Sequence, residues 1–417
     1  CNYGILRSME GGMRILACAD IHLGRKPELA QSGHAAWDAI IQKALELAVD
    51  VVVLAGDVVE HERTWLSVYG PLLSGLETLK NAGIQVIGVG GNHDWSVFPR
   101  LAEESEAIKI LGLKGTWESY DIGDVRFIGW SFPSTHEEES PLADFDTSLV
   151  DDSKLSLGLL HADWTQQYSK YAPINEHALL KTGIPLWMLG HIHRGGRQGD
   201  SAVYYCGSPF ALDVSETGAH GAYLLETEQG RTWKDPLFIP LCPYRYEQCA
   251  VDTTGIQDME SLRSAVTRSV RTYIDQMSFH GTVVVSLVYT GNLHANLDLQ
   301  QVFSFEGRER ELLFQDEDLE VLLLNRIEDA TDLEVDLNQL VKGSGPQALL
   351  ASMLLDSDAL QQLGVSYQRL DTESYNTSGF NLLRQTSLTQ DEAVKRGKRA
   401  VLQLLRAMES QRREHEA

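Results

Sequence analysis

Short apolar runs of strand length recur through the first half of the chain, at residues 15–19, 51–54, 85–89, 125–130, 155–160 and 186–189, with two more at 203–206 and 222–225. Their length and their richness in Val, Ile and Leu predict β-strands. Helix-length stretches separate the first three. Residues 35–48 place Trp37, Ile40, Ile41, Ala44, Leu45 and Leu47 at helical spacing, and residues 65–80 form a second such stretch. Pro71 is expected to kink or split that second helix, because proline lacks the N–H that an interior turn needs. Strands alternating with helices predict an α/β layer whose partly parallel strands are buried on both faces.

The pattern changes after Pro240. Residues 244–251, 282–289 and 319–324 read as strands and 256–277 as a helix, which together predict a compact α+β unit. Gly343-Ser344-Gly345-Pro346 breaks the chain again. Beyond it, residues 347–364 read as one helix, 371–378 as a polar connection and 389–413 as a closing amphipathic helix carrying Val394, Val401, Leu405 and Met408. The expected division is therefore 13–240, 241–342 and 343–417.

Five widely separated pieces stand just past predicted strands: Asp20-Ile21-His22, Gly56-Asp57, Gly91-Asn92-His93-Asp94, His161, and Gly190-His191-Ile192-His193. The carboxyl edge of an open α/β sheet is where loops converge, so these residues can meet in one cleft. Carboxylate and amide oxygens mixed with imidazoles suit Mn²⁺, Fe or Zn²⁺. In Asp-x-His and His-x-His, alternate side chains of an extended segment point the same way, so one turn can feed one cluster. Glycines 56, 91 and 190 permit close backbone approach or positive φ. Each piece alone is common; their joint order points to a pair of divalent cations. Two such ions about 3.5–4 Å apart can clamp a phosphate and bring a water's pKa towards neutrality.

These motifs resemble the ordered signature of the calcineurin-like metallophosphoesterases over residues 13–230. The resemblance implies a sandwich of mixed sheets flanked by helices, with a smaller α+β capping domain and C-terminal helices. It implies one metal held by Asp20, His22, Asp57 and His193. A second would be held by Asp57, Asn92, His161 and His191, with Asp57 bridging and manganese the expected ion. It also implies that His93 protonates the leaving oxygen and that Asp94 orients His93. Asp20-Ile21-His22-Leu23-Gly24 and Tyr205-Cys206-Gly207-Ser208-Pro209 are similar to motifs of the SbcD-type DNA-repair nuclease subunits. The α+β stretch and the closing helix fall where that branch carries a DNA-contacting cap and an attachment to an SMC-like coiled-coil ATPase. The chain departs from the branch at Glu60, where many relatives have His or Asp; Glu60 or His61 is the candidate substitute.

Composition sharpens this picture. The 417 residues, 43% hydrophobic and 23% charged, fit a soluble protein of two or three domains, and no apolar run approaches the ~18 residues of a membrane span. Five cysteines without a Cys-x-x-Cys pair fit a reducing cytoplasm, with Cys18 as a core residue. The chain opens on Cys1; Met13 is the expected start, and a lipidated Cys1 is the alternative. A net charge of −24 argues against simple nucleic-acid binding, and residues 306–336 carry twelve acids against three arginines. Residues 395–417 reverse the balance, with seven Lys and Arg against three Glu. Arg25, Lys26 and Arg194 are candidate phosphate contacts or solvated loop charges, and Trp95 and Trp164 stack a base or pack the loops. The remaining histidines, His220 among them, are read as ordinary. Excess apolar residues at Trp65, Leu66, Tyr69, Leu72, Leu73 and Leu76 predict a homodimer or a wide core face. The expected function is a metal-dependent DNA exonuclease or endonuclease working with an ATPase. A small-molecule phosphatase or cyclic-nucleotide phosphodiesterase, and a metal-retaining scaffold, are the rivals.

Overall fold

The structure, a computed structural model, describes residues 12–25, 33–164, 168–199, 201–228, 231–294, 297–333, 337–375 and 388–416. It divides into two compact units, Cys1–Tyr246 and Glu247–Ala417. Cys1 and Lys26, named above, lie outside the described residues.

In the first unit the chain forms β1 (Arg14–Cys18), β2 (Val51–Ala55), β3 (Gln85–Val89), β4 (Lys109–Ile110), β5 (Trp117–Ile122), β6 (Val125–Trp130), β7 (Leu155–His161), β8 (Trp187–Gly190), β9 (Gly196–Arg197), β10 (Val203–Tyr205), β11 (Gly221–Glu228), β12 (Thr232–Trp233) and β13 (Leu237–Pro240). One sheet runs β12-β11-β1-β2-β3-β4, with β13 on β11; the other runs β5-β6-β7-β8-β10-β9. The centres of both are parallel, β1 to β4 in one and β6, β7, β8 and β10 in the other. Ile15, Val53 and Val89 of the first sheet share a buried core with Phe127, Leu159 and Met188 of the second. The two sheets therefore pack face to face, and their central strands are apolar on both sides because each outer face is also covered. Ala172, Ile174 and Leu179 lie against Ile128, Leu160 and Tyr205 on the outer face of the second sheet. This is the expected α/β sandwich.

Helix Gly33–Glu46 buries Trp37, Ile40, Ile41 and Ala44, as its periodicity predicts. Helix Trp65–Asn81 runs through Pro71 without splitting. Pro71 is exposed, so water can satisfy the freed carbonyl, while Leu72, Gly75, Leu76 and Leu79 hold the buried side in register.

In the second unit β14 (Tyr244–Asp252), β15 (Gly281–Thr290), β17 (Arg310–Asp316) and β18 (Leu319–Asp329) form a sheet ordered β14-β15-β18-β17, and β16 (Asn292–Leu293) pairs with β19 (Asp332–Leu333). Helix Met259–Ile274 starts at Asp258, whose carboxylate accepts the Ser261 N–H at 2.8 Å. It buries Leu262, Val266, Val270 and Ile274 against Val283, Val285 and Leu323. The single helix expected over 347–364 is two, Pro346–Leu355 and Ser357–Tyr375. Asp356 is extended, and its carboxylate accepts the Asp358 and Ala359 N–H groups at 2.9 and 3.2 Å, a local cap that wins over helix continuation. The second of these helices runs into the expected polar connection as far as Tyr375. Helix Gln390–Glu416 buries Val401, Leu402 and Leu405 among Leu354, Leu360 and Leu363, so much of its apolar face is used inside the unit. No described helix is long and apolar enough to cross a membrane.

Candidate metal centre

The carboxyl ends of both parallel sheets converge on one cluster. Asp20, Asp57 and Asn92 follow β1, β2 and β3, His161 closes β7, and His191 follows β8. The first two loops are laced backbone to backbone. Asp20 and His22 donate their N–H groups to the carbonyls of Gly56 and Asp57, both at 3.0 Å, and Leu23 donates to Val58 at 2.8 Å. Asp20, His22, Asp57 and His191 all take left-handed backbone angles, with φ of 52°, 50°, 50° and 99°. L-residues adopt that region at a cost of about 1–3 kcal/mol each, so the lacing holds the donors in a strained, predetermined geometry. Gly91 serves the same end by lacking a side chain, since a Cβ there would fall 2.2 Å from Asp57 Oδ1. Gly91→Ala is expected to destabilise the protein by about 1–3 kcal/mol in urea denaturation and to lower its capacity to bind added divalent metal together with its stability.

The imidazoles are oriented from behind. His22 donates Nδ1–H to Glu60 Oε2 at 2.8 Å, His193 donates to Glu216 Oε1 at 2.6 Å, and His161 donates to the Ala55 carbonyl at 3.1 Å. Each thereby turns Nε2 towards the carboxylates. Donor atoms of Asp20, His22 and His193 lie within 4.8 Å of one another, as do those of Asp20, Asp57 and His161. His161 Nε2 is 3.2 Å from both Asn92 Oδ1 and Asp57 Oδ2. His191 donates its backbone N–H to both oxygens of Asp20 at 3.1 Å, and its ring lies 5.4 Å from that of His161.

His93 and Asp94 are not paired as expected. Asp94 is fully buried and accepts N–H groups from Gly91 and Val58, both at 2.7 Å, so it braces the second and third loops. His93 is held by the Glu60 carbonyl, 2.6 Å from its Nδ1, and its Nε2 lies 4.0 Å from Asp57 Oδ2. The reason lies in the chain direction: Asp94 points back under its own loop, and Glu60 arrives from the neighbouring one.

Residues outside the five pieces complete the surroundings. The loop Tyr205-Cys206-Gly207-Ser208-Pro209 buttresses two donor loops. Tyr205 donates its hydroxyl to the Ala162 carbonyl at 2.8 Å, and Ser208 donates N–H to the His193 carbonyl at 2.9 Å. Glu216 also accepts the Leu212 N–H at 2.7 Å. His220, read from sequence as ordinary, is buried and bonds Ser208 Oγ at 2.9 Å and the Glu216 carbonyl at 3.2 Å. No local motif marks Glu216 or His220; only the three-dimensional return of residues 208–220 to the β8 loop brings them in. His61 is exposed, and Glu60 is the residue that faces the cluster. Arg25 is half-buried and its charge acts on Glu60 and His193, whereas Arg194 is exposed. The Trp95 indole is partly exposed and pinned by a 3.1 Å bond to Thr135 Oγ1; Trp164 packs against the outer core of the second sheet.

A cation fits these residues. His22 Nε2 is buried and makes no hydrogen bond among the described residues. Asp20, Asp57 and Asp94 are buried together, and isolated buried carboxylates are costly without a positive partner. Burial pushes the Asp20 carboxyl up, and burial with the Asp57 charge pushes Asp94 up to about 7. Burial alone would lower His161, but the adjoining Asp57 carboxylate brings it up to about 9, and His161 in turn holds Asp57 well below the usual carboxylate range. In the metal-free protein His161 thus carries the positive charge that the carboxylates need. His191, lowered to about 4 by burial and by His161, stays neutral and able to donate a lone pair. Asp20, His22, Asp57 and His193 would hold one ion, and Asp57, Asn92, His161 and His191 the other.

Residues 13–195 match the calcineurin-like phosphoesterase family. The face-to-face sheets and the clustered donors of this segment agree with that match. Among curated proteins, the chain is 28% identical over 277 residues to the uncharacterized metallophosphoesterase YhaO of Bacillus subtilis, covering 60% of this chain and 65% of that one. It is 25% identical over 265 residues to the DNA double-strand break repair protein Mre11 of Haloferax volcanii, covering 61% and 58%. The chain thus spans about three fifths of these relatives' length. A solved structure, the calcineurin-like phosphoesterase YfkN of Bacillus subtilis, is 13% identical with a TM-score of 0.38, covering 64% of this chain and 98% of that one.

Proposed function

We propose that the chain is a dinuclear-metal DNA nuclease subunit of SbcD type, cleaving phosphodiester bonds. The observation that carries this reading is the complete donor set beside an anchored, more accessible imidazole, His93, whose side chain is 37% exposed. Bound divalent ions would supply Lewis acidity to the phosphate and lower the pKa of an attacking water. Around them the chain orients His22 and His193 through Glu60 and Glu216, seats His161 on Ala55, and presents His93 towards a leaving oxygen. The choice of DNA is supported by the likeness to DNA double-strand break repair proteins, which covers more of the chain than residues 13–195. Manganese is the proposed ion.

The same reading assigns an SMC-like coiled-coil ATPase and a second copy of the chain as partners. Leu349, Val365 and Leu370 are exposed in the C-terminal helices, and Leu66 in the helix after β2, as candidate contacts. A small-molecule phosphoesterase is the second reading, favoured by the acidity of residues 306–336, which repels a polyanion. Purified protein with Mn²⁺ is offered single- and double-stranded DNA beside an aryl phosphodiester, with and without the ATPase. DNA cleavage is expected. Turnover of the aryl ester alone, with DNA intact even in the presence of the ATPase, would overturn the nuclease reading in favour of the second.

A further inference from the structure

A second cleft lies at the amino end of β3, the opposite end of that strand from Asn92 and the donor cluster. β4 is only two residues long and begins opposite Ile87, so Gln85 and Val86 have no strand beside them on that side. The notch opens into a cavity of about 410 Å³ over Ile84, Val86 and Ile108, all buried, with Tyr120 at its border. Small ligands occupy clefts of that size that combine an apolar floor with a few placed polar groups.

The polar groups here are a particular set. Gln85 donates its N–H to the Asp50 carbonyl on the β2 side, and Gly88 accepts the Leu111 N–H on the β4 side. Alternation along β3 therefore turns the Val86 N–H into the notch, where no acceptor among the described residues meets it. A buried N–H without a partner is rare and marks a place for an incoming oxygen. Lys80 and Glu106, both exposed on the rim, form no ion pair among the described residues. Lys109, by contrast, is paired with Glu118 and lies 5.9 Å above the Tyr120 ring. The rim thus offers one free cation and one free anion. A phosphate would meet a single uncommitted cation beside a carboxylate, whereas a ligand carrying both charges meets a partner for each.

We propose that this notch binds a free α-amino acid with a large apolar side chain. Its carboxylate accepts the Val86 N–H and pairs with Lys80, its ammonium faces Glu106, and its side chain lies on Ile84 and Ile108 beside Tyr120. The site is separate from the metal centre and does not depend on the function proposed for that centre.

Calorimetry and thermal melts of the full chain with leucine and phenylalanine test it. The comparison ligands are leucinamide, which lacks the carboxylate, isocaproate, which lacks the ammonium, and inorganic phosphate. Leucine or phenylalanine is expected to bind with a dissociation constant of about 1 mM or below, and each truncated analogue about tenfold or more weakly. Lys80→Gln should weaken leucine about tenfold and leave leucinamide unchanged, and Glu106→Gln should weaken leucine and leave isocaproate unchanged. Both side chains are exposed, so melting temperature and metal-dependent phosphoester hydrolysis should stay those of the wild type. No binding of either amino acid at about 10 mM, or affinities that neither substitution changes, would overturn the inference. Phosphate binding more tightly than leucine would do the same. None of these results bears on metal binding, so the reading of the metal centre stands or falls separately.

Discussion

Asp57→Asn is expected to cost about 10³-fold or more in kcat/KM with manganese present, and to do so without unfolding the protein. The substitution keeps the shape of the side chain. The asparagine oxygen can still accept the His93 N–H, 2.9 Å from Asp57 Oδ1, and its amide can donate to His161 Nε2, 3.2 Å from Asp57 Oδ2. What it removes is the buried carboxylate charge that faces His22, His93 and His161. His161 then loses the nearest carboxylate that favours its proton and shifts towards neutrality, so a negative and a positive charge leave the cluster together. The metal-free variant should therefore melt close to the wild type. The difference should appear on adding manganese. A ligand at a hundred times its dissociation constant stabilises a protein by about 2.7 kcal/mol, a gain expected for the wild type and largely lost in the variant. Thermal melts with and without Mn²⁺, run beside steady-state kinetics, check both halves. Near-normal turnover, or an undiminished metal-induced shift, would remove Asp57 from the bridging position.

The clustering of these residues was legible in the sequence because each stands just beyond an apolar run, and the sandwich topology has little choice but to bring those strand ends together. Residues 15–19, 51–54 and 85–89 became β1, β2 and β3 within a residue or so, since a doubly buried parallel strand carries its signature in its own composition. Glu60 was visible as a departure, but its dual contact was not, because it depends on the lacing between the first two loops. Glu216 and His220 left no trace. Glu216 reaches His193, and His220 reaches Glu216, through tertiary return rather than spacing, and a lone glutamate in a loop resembles any solvated acid. The Asp94–His93 pairing failed for a related reason: adjacency in sequence says nothing about which way a buried carboxylate turns, and the N–H groups of Gly91 and Val58 were the better partners. Asp356 ended a helix that apolar periodicity alone would have continued. Pro71 failed to end one because it faces water.

His93→Ala is expected to lower kcat on DNA by about 10²–10⁴-fold, the usual contribution of a positioned general acid, while leaving manganese binding intact. Its ring is more exposed than those of the donor histidines, and its Nδ1 is anchored on the Glu60 carbonyl at 2.6 Å. The free Nε2 is then the atom that can hand a proton to a leaving oxygen. The deoxyribose oxygen of DNA is a poor leaving group and needs that proton, whereas a nitrophenolate departs without it. The loss on an aryl phosphodiester should therefore be about tenfold or less, and the contrast between the two substrates identifies the role more firmly than either loss alone. Added imidazole should restore part of the DNA activity and none of the small aryl deficit. An equal loss on both substrates would place His93 in substrate binding rather than proton transfer. A fall in bound manganese would instead make it a metal donor, which its position beside His22 and Glu60 also permits. Metal content measured on the same preparations separates these outcomes, because a proton donor leaves no mark on the ion count while a ligand must.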